Sequence, residues 1–133
     1  MGAPMSPDQP IHDLPVPMTP AVFHILLALA DGELHGYGIM QAIATFTDGT
    51  MRLGPGTLYR SIKAMLASGL IAESDERPDP ALDDERRRYY RLTEDGWPAL
   101  ASEAQRLSRL VAVAGAKTAL RLPTGTAPTR GEA

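Results

Sequence analysis

The residues best equipped for chemistry lie between positions 54 and 63. The run Gly54-Pro55-Gly56-Thr57-Leu58-Tyr59-Arg60, followed by Lys63, combines backbone freedom, hydroxyl groups and positive charge. Gly54 and Gly56 let a backbone come close to a phosphate, and a helix beginning at Pro55 offers free N–H groups at its amino end. Thr57 and Tyr59 suit phosphate oxygens or base edges. Arg60 and Lys63, three apart, share one helix face and reach the same duplex. This is the chemistry of holding a polyanion. The bland alternative is that Tyr59 packs on the core and Arg60 is solvated. A second basic block, Arg86, Arg87 and Arg88, enters a strand-like segment, where alternation sends Arg86 and Arg88 one way and Arg87 the other. It reads as a set of phosphate contacts, or else as a charged edge that discourages sheet-to-sheet pairing.

Bond-breaking chemistry has no comparable set. There is no Cys, hence no thiolate nucleophile, disulfide or thiolate metal site. His12, His24 and His35 fall in separate segments with no metal-binding spacing, so no metal or cofactor is expected. Asp83, Asp84 and Glu85 are neighbours in one loop and read as solvation rather than an acid–base pair. Gly54-Pro55-Gly56 lacks the Lys and the length of a nucleotide-binding loop. The chain reads as a binding protein, not an enzyme.

Charge supports this by its arrangement. The net charge is -3, yet residues 51–72 carry Arg52, Arg60 and Lys63 with no acid. Residues 73–85 hold seven acids against Arg77 alone, a stretch that would repel a phosphate backbone. Local clustering matters more to a polyanion than the total does.

The elements that position these residues follow from periodicity. With 133 residues the chain has room for one ordinary domain. Residues 1–18 read as a flexible Pro-rich arm. Thr19 and Pro20 cap and start a helix whose apolar residues Val22, Phe23, Ile25, Leu26, Leu27 and Leu29 cover most of its circumference, placing it centrally. Asp31-Gly32 stops it. A second helix over about 37–46 presents Ile39, Met40, Ile43 and Phe46 to the core and ends at Thr47-Asp48-Gly49. The third runs from Pro55 to about Ser68 with Leu58, Ile62, Met65 and Leu66 as its buried stripe. Residues 70–72 and 88–92 read as two short strands.

The pattern predicts a mainly α chain with a small two-stranded antiparallel wing, a winged helix-turn-helix over residues 19–96 whose third helix reads the major groove. Thr93 caps a last helix, with Glu94 and Asp95 in its first turn, over residues 97–121. There Trp97, Leu100, Ala104, Leu107, Val111 and Ala114 recur at alternating intervals of three and four, a stripe suited to pairing with a second copy. Residues 122–133 read as a disordered tail. The start lacks a signal-peptide pattern and the longest apolar stretch, residues 25–30, is too short for a membrane span, so a cytoplasmic location and no membrane partner are expected.

Four runs in register carry a family resemblance: His35-Gly36-Tyr37-Gly38-Ile39, the Gly-Thr-Leu-Tyr run within residues 54–60, Leu66-Ala67-Ser68-Gly69-Leu70-Ile71, and residues 87–96 with Tyr89-Tyr90-Arg91-Leu92-Thr93-Glu94-Asp95-Gly96. Over roughly residues 19–120 the chain resembles the PadR family of bacterial transcriptional regulators, in its compact branch with a single C-terminal dimerisation helix. The resemblance implies a homodimeric repressor of its own or an adjacent operon, bound to an inverted repeat in double-stranded DNA and released by a small aromatic or lipophilic effector. It implies that Tyr59 contacts DNA, that Arg60 sits where operator sequence is read, and that basic residues of the second wing strand touch phosphate. Tyr37 occupies a position that contacts the DNA backbone or supports the reading helix. Trp97, with Phe23, marks where an effector could stack, although an interface anchor is the commoner role for such a Trp. A winged-helix module that binds proteins instead of DNA is the first alternative, and a small ligand carrier or enzyme on the same scaffold the second.

Overall fold

Thr19 starts the fold as its sequence position predicts. Its backbone is extended (φ -68°, ψ 154°) and its Oγ1 accepts from the Val22 N–H at 3.2 Å, with Pro20 next in line. In this computed structural model, residues 18–74 and 88–119 are described. The expectations for the arm, for the acidic stretch with Arg86 and Arg87, and for the tail lie outside those residues.

The helix that Thr19 caps, α1 (Pro20–Leu29), buries Ala21, Val22, Ile25, Leu26, Ala28 and Leu29. It packs on both α2 (Gly36–Phe46) and α3 (Pro55–Ala67). The core joins Ile25 and Leu26 to Ile39 and Ile43 of α2 and to Leu58, Ile62 and Met65 of α3. Phe46 departs from the expected pattern: it is 47% exposed, and its ring stacks on His24 instead of entering the core. It is the last residue of α2.

The helix ends follow turn chemistry. After α2, Asp48 (φ 53°) and Gly49 (φ 75°) take left-handed backbone, and the Gly49 N–H closes on the Ala44 carbonyl at 2.7 Å. Gly69 (φ 83°) does the same after α3 and turns the chain into β2 (Ile71–Glu73).

Among the described residues the sheet has three strands, one more than the two-stranded wing expected. β1 (Leu34–His35) and β2 both pair antiparallel with β3 (Tyr89–Leu92), in the order β1-β3-β2. Leu34 lies opposite Tyr90 and His35 opposite Tyr89, while Ile71 faces Leu92 and Glu73 faces Tyr90. Tyr90 and Leu92 point into the core and Arg91 points out, the alternation expected of a half-buried strand.

Thr93 ties the wing to the last helix, α4 (Gly96–Thr118). Its hydroxyl donates to the Gly69 carbonyl at 2.6 Å, lies 3.0 Å from the Leu70 carbonyl, and accepts from the Gly96 N–H at 3.0 Å. Glu94 and Asp95 occupy the turn before α4 rather than its first helical turn. The chain divides into two compact units between Glu103 and Ala104. In the first, Gly96, Leu100 and Glu103 of α4 are buried. Leu100, assigned above to a subunit interface, is 8% exposed and belongs to the core. In the second, Leu110, Val111 and Val113 are exposed, Val111 at 70%. No helix among the described residues is long and apolar enough to cross a membrane.

Candidate nucleic-acid interface

The amino end of α3 is built to be approached. Gly54 is its N-cap, extended at φ -76° and ψ 163°, and no side chain caps the helix. The N–H groups of Gly56 and Thr57 are therefore available to an acceptor from outside. A Cβ placed on Gly54 or Gly56 would meet nothing within 4 Å, so both faces are open. One turn on, an Arg60 Nη2–H donates to Thr57 Oγ1 at 3.4 Å, a long bond that leans the guanidinium toward the helix start. Arg60 and Lys63 are both exposed. Arg52, in the connection before α3, is exposed as well, and its Nη2 lies 3.5 Å from where a Gly49 Cβ would stand.

Tyr59 is half-buried and packs against the core. Its ring and hydroxyl lie against Gly36, the first residue of α2, so closely that a side chain there would collide with them. Gly36 thus lets Tyr59 lie between α2 and α3, the two helices of the reading motif. Tyr37, next along α2, is 60% exposed on the surface.

His35 fixes the start of α2. Its Nδ1 accepts from the Gly38 N–H at 2.9 Å, and its ring centroid lies 5.2 Å from that of Tyr89 on β3. One residue thus caps a helix and borders the wing.

On the wing, Arg88 is turned toward the protein. Its Nη1–H donates to Glu73 Oε2 at 3.2 Å, forming an ion pair across the base of the wing. Its Nε is buried and has no partner among the described residues. Arg86 and Arg87 fall outside those residues. Glu73 is the first acid of the acidic stretch and ends β2 opposite Tyr90.

The aromatic residues divide. Phe23 meets His24 edge to face, with centroids 6.0 Å apart, and His24 in turn stacks on Phe46 at 6.1 Å. His24 Nδ1 lies 2.7 Å from the Pro20 carbonyl. Trp97 is half-exposed and makes no ring contact among the described residues, so the structure does not join it to Phe23 through a ring contact. Of the expected interface residues, Ala104, Val111 and Ala114 are exposed and Leu107 is half-buried. No group of three His, Cys, Asp or Glu among the described residues could hold a metal ion.

Comparison with known proteins gives a consistent answer. The model of the family described as "Transcriptional regulator PadR-like family" matches residues 25–102. The transcriptional regulator Rv3488 of Mycobacterium tuberculosis is 36% identical over 87 residues, which cover 65% of this chain and 75% of that protein. An uncharacterised protein in a transposon of Streptomyces fradiae is 38% identical over 86 residues, 65% of this chain but only 22% of that much longer protein. Among solved structures, a transcriptional regulator from Clostridium thermocellum superposes with a TM-score of 0.62 at 24% identity, covering 71% of this chain and 86% of that one.

Proposed function

Because the chain belongs to the PadR-like family of transcriptional regulators, we propose that it is a homodimeric, ligand-responsive repressor that binds an inverted repeat upstream of its own or a neighbouring operon. Family membership makes it a DNA-binding regulator and not an enzyme. The reading of its finer role rests on one observation above the rest: an uncapped, open helix start at residues 54–57 lies beside exposed Arg60 and Lys63, in a segment with no acid. Gly56 and Thr57 offer their amides to phosphate, Tyr59 and Tyr37 border the groove, and Arg60 and Lys63 reach base edges and backbone. Arg86, Arg87 and Arg88 supply the wing's phosphate contacts.

Two copies pair through α4 along Trp97, Ala104, Leu107, Val111 and Ala114. This pairing sets the recognition helices about 34–36 Å apart, one turn of duplex. An effector stacking near Phe23 or Trp97 would alter that spacing and release the DNA. Repressor action of this kind belongs in the cytoplasm.

The test is equilibrium binding to the DNA upstream of the protein's own gene, against a scrambled duplex, at several salt concentrations. The expected preference is more than about a hundredfold, with affinity falling steeply as salt rises. Absence of binding to any duplex at low salt would replace this reading with that of a protein-interaction module.

A further inference from the structure

Glu73 and Arg88 form a contact that the proposed function does not use and in one respect opposes. A wing arginine serves DNA binding only if its guanidinium can meet a phosphate. Here an Nη1–H of Arg88 is engaged by Glu73 Oε2 at 3.2 Å. The carboxylate occupies the guanidinium much as a phosphate would, since both are anions whose oxygens match the planar fork of guanidinium donors. We propose that Glu73 is an internal competitor of the DNA backbone: it withholds Arg88 from phosphate and so lowers the affinity of the wing for duplex in general. The proposal rests on the DNA-binding reading above.

Three observations carry it. Both partners are partly exposed, with side-chain exposures of 40% and 32%, so the pair is open to exchange with an outside anion and is not sealed in the core. The engaged conformation is also imperfect. The Arg88 Nε is buried without a partner among the described residues, a donor that the engaged pose leaves unsatisfied. Register holds the arrangement in place, because Glu73 ends β2 opposite Tyr90 and the Ser74 N–H donates to the Tyr89 carbonyl at 2.8 Å, keeping the carboxylate beside the strand that Arg88 enters.

The experiment is a double-mutant cycle on the full chain with Glu73→Gln, Arg88→Gln and both, each checked by thermal melting. The probe is a mixed-sequence duplex titrated at several salt concentrations. Glu73→Gln is expected to raise affinity by up to about fivefold, the most that an exposed ion pair of this kind withholds. It should also steepen the dependence of log affinity on log salt by about one, the mark of one added phosphate contact. In the Arg88→Gln background the same substitution should leave the salt slope unchanged. An equal gain with unchanged slope in both backgrounds would mean that Glu73 merely repels the duplex, and the competitor role fails. Weaker binding by Glu73→Gln would also overturn it, by showing that Glu73 aims Arg88 at the DNA. A wild-type protein that binds no duplex would instead sink the underlying DNA-binding reading, an outcome visible before any variant is measured.

Discussion

At the scale of single residues, Gly36 is a position with no room for a side chain. Its missing Cβ makes the space into which Tyr59 lies, and Tyr59 belongs both to the core's edge and to the surface proposed to meet DNA. Gly36→Ala must push the tyrosine ring out of place or shift α2. The expected cost is about 1–3 kcal/mol of stability, read as a fall in the urea midpoint. Adding Tyr59→Ala should recover part of that loss, because the clash then has no second party. Additive losses in the double variant would show that Gly36 is held by something other than Tyr59. The sequence displayed both residues within their motifs, yet their contact was not legible. They stand 23 positions apart (59 - 36), and neither periodicity nor spacing reports which ring fills which gap.

At the scale of elements, α4 carries two kinds of residue that the sequence merged into one stripe. Leu100 is a core residue of the first unit, whereas Val111 is exposed in the second. Alternating steps of three and four describe any amphipathic face and do not say whether a face meets its own chain or another. The two roles separate experimentally. Leu100→Ala should lower the melting midpoint, with a loss of about 2–4 kcal/mol, through cavity formation. Val111→Asp should leave that midpoint of the body near wild type and shift sedimentation toward a monomer. If Val111→Asp stays dimeric, α4 is not the pairing element. The three helices were legible almost to the residue, because Thr19, Pro20, Gly49, Pro55 and Gly69 punctuate strong apolar periods. The wing was legible in part. Two residues of β1 leave no alternation to detect, and only pairing with Tyr89 and Tyr90 makes them a strand. Phe46 was misplaced for a related reason: the terminal residue of an apolar period has no later turn to fix its face.

At the scale of the whole molecule, net charge is a poor guide to partner. A total of -3 coexists with a segment, residues 51–72, that carries exposed Arg52, Arg60 and Lys63 and no acid. An acidic body with a localised basic surface binds polyanions in one orientation only, which favours docking by geometry over indiscriminate coating. Two such surfaces in a symmetric pair demand a fixed phase along the duplex. Inserting about 5 base pairs between the operator's half-sites, half a helical turn, should abolish tight binding, while inserting about 10 should restore part of it. Equal affinity at both spacings would mean that the subunits bind independently.

The placement of β1 also bears on how the chain comes to its native state. Leu34 and His35 lie ahead of α2 and α3 in the chain, while their partners Tyr90 and Tyr89 come after both. The contact that borders the start of α2 therefore closes the longest loop of the wing, and contacts of that kind form late. On the ribosome, α1, α2 and α3 emerge with local pairings available to each. The ring of Tyr89 against His35 must wait until the second wing strand has left the exit tunnel. A chain released before Tyr89 would lack the clasp that joins the reading motif to the wing.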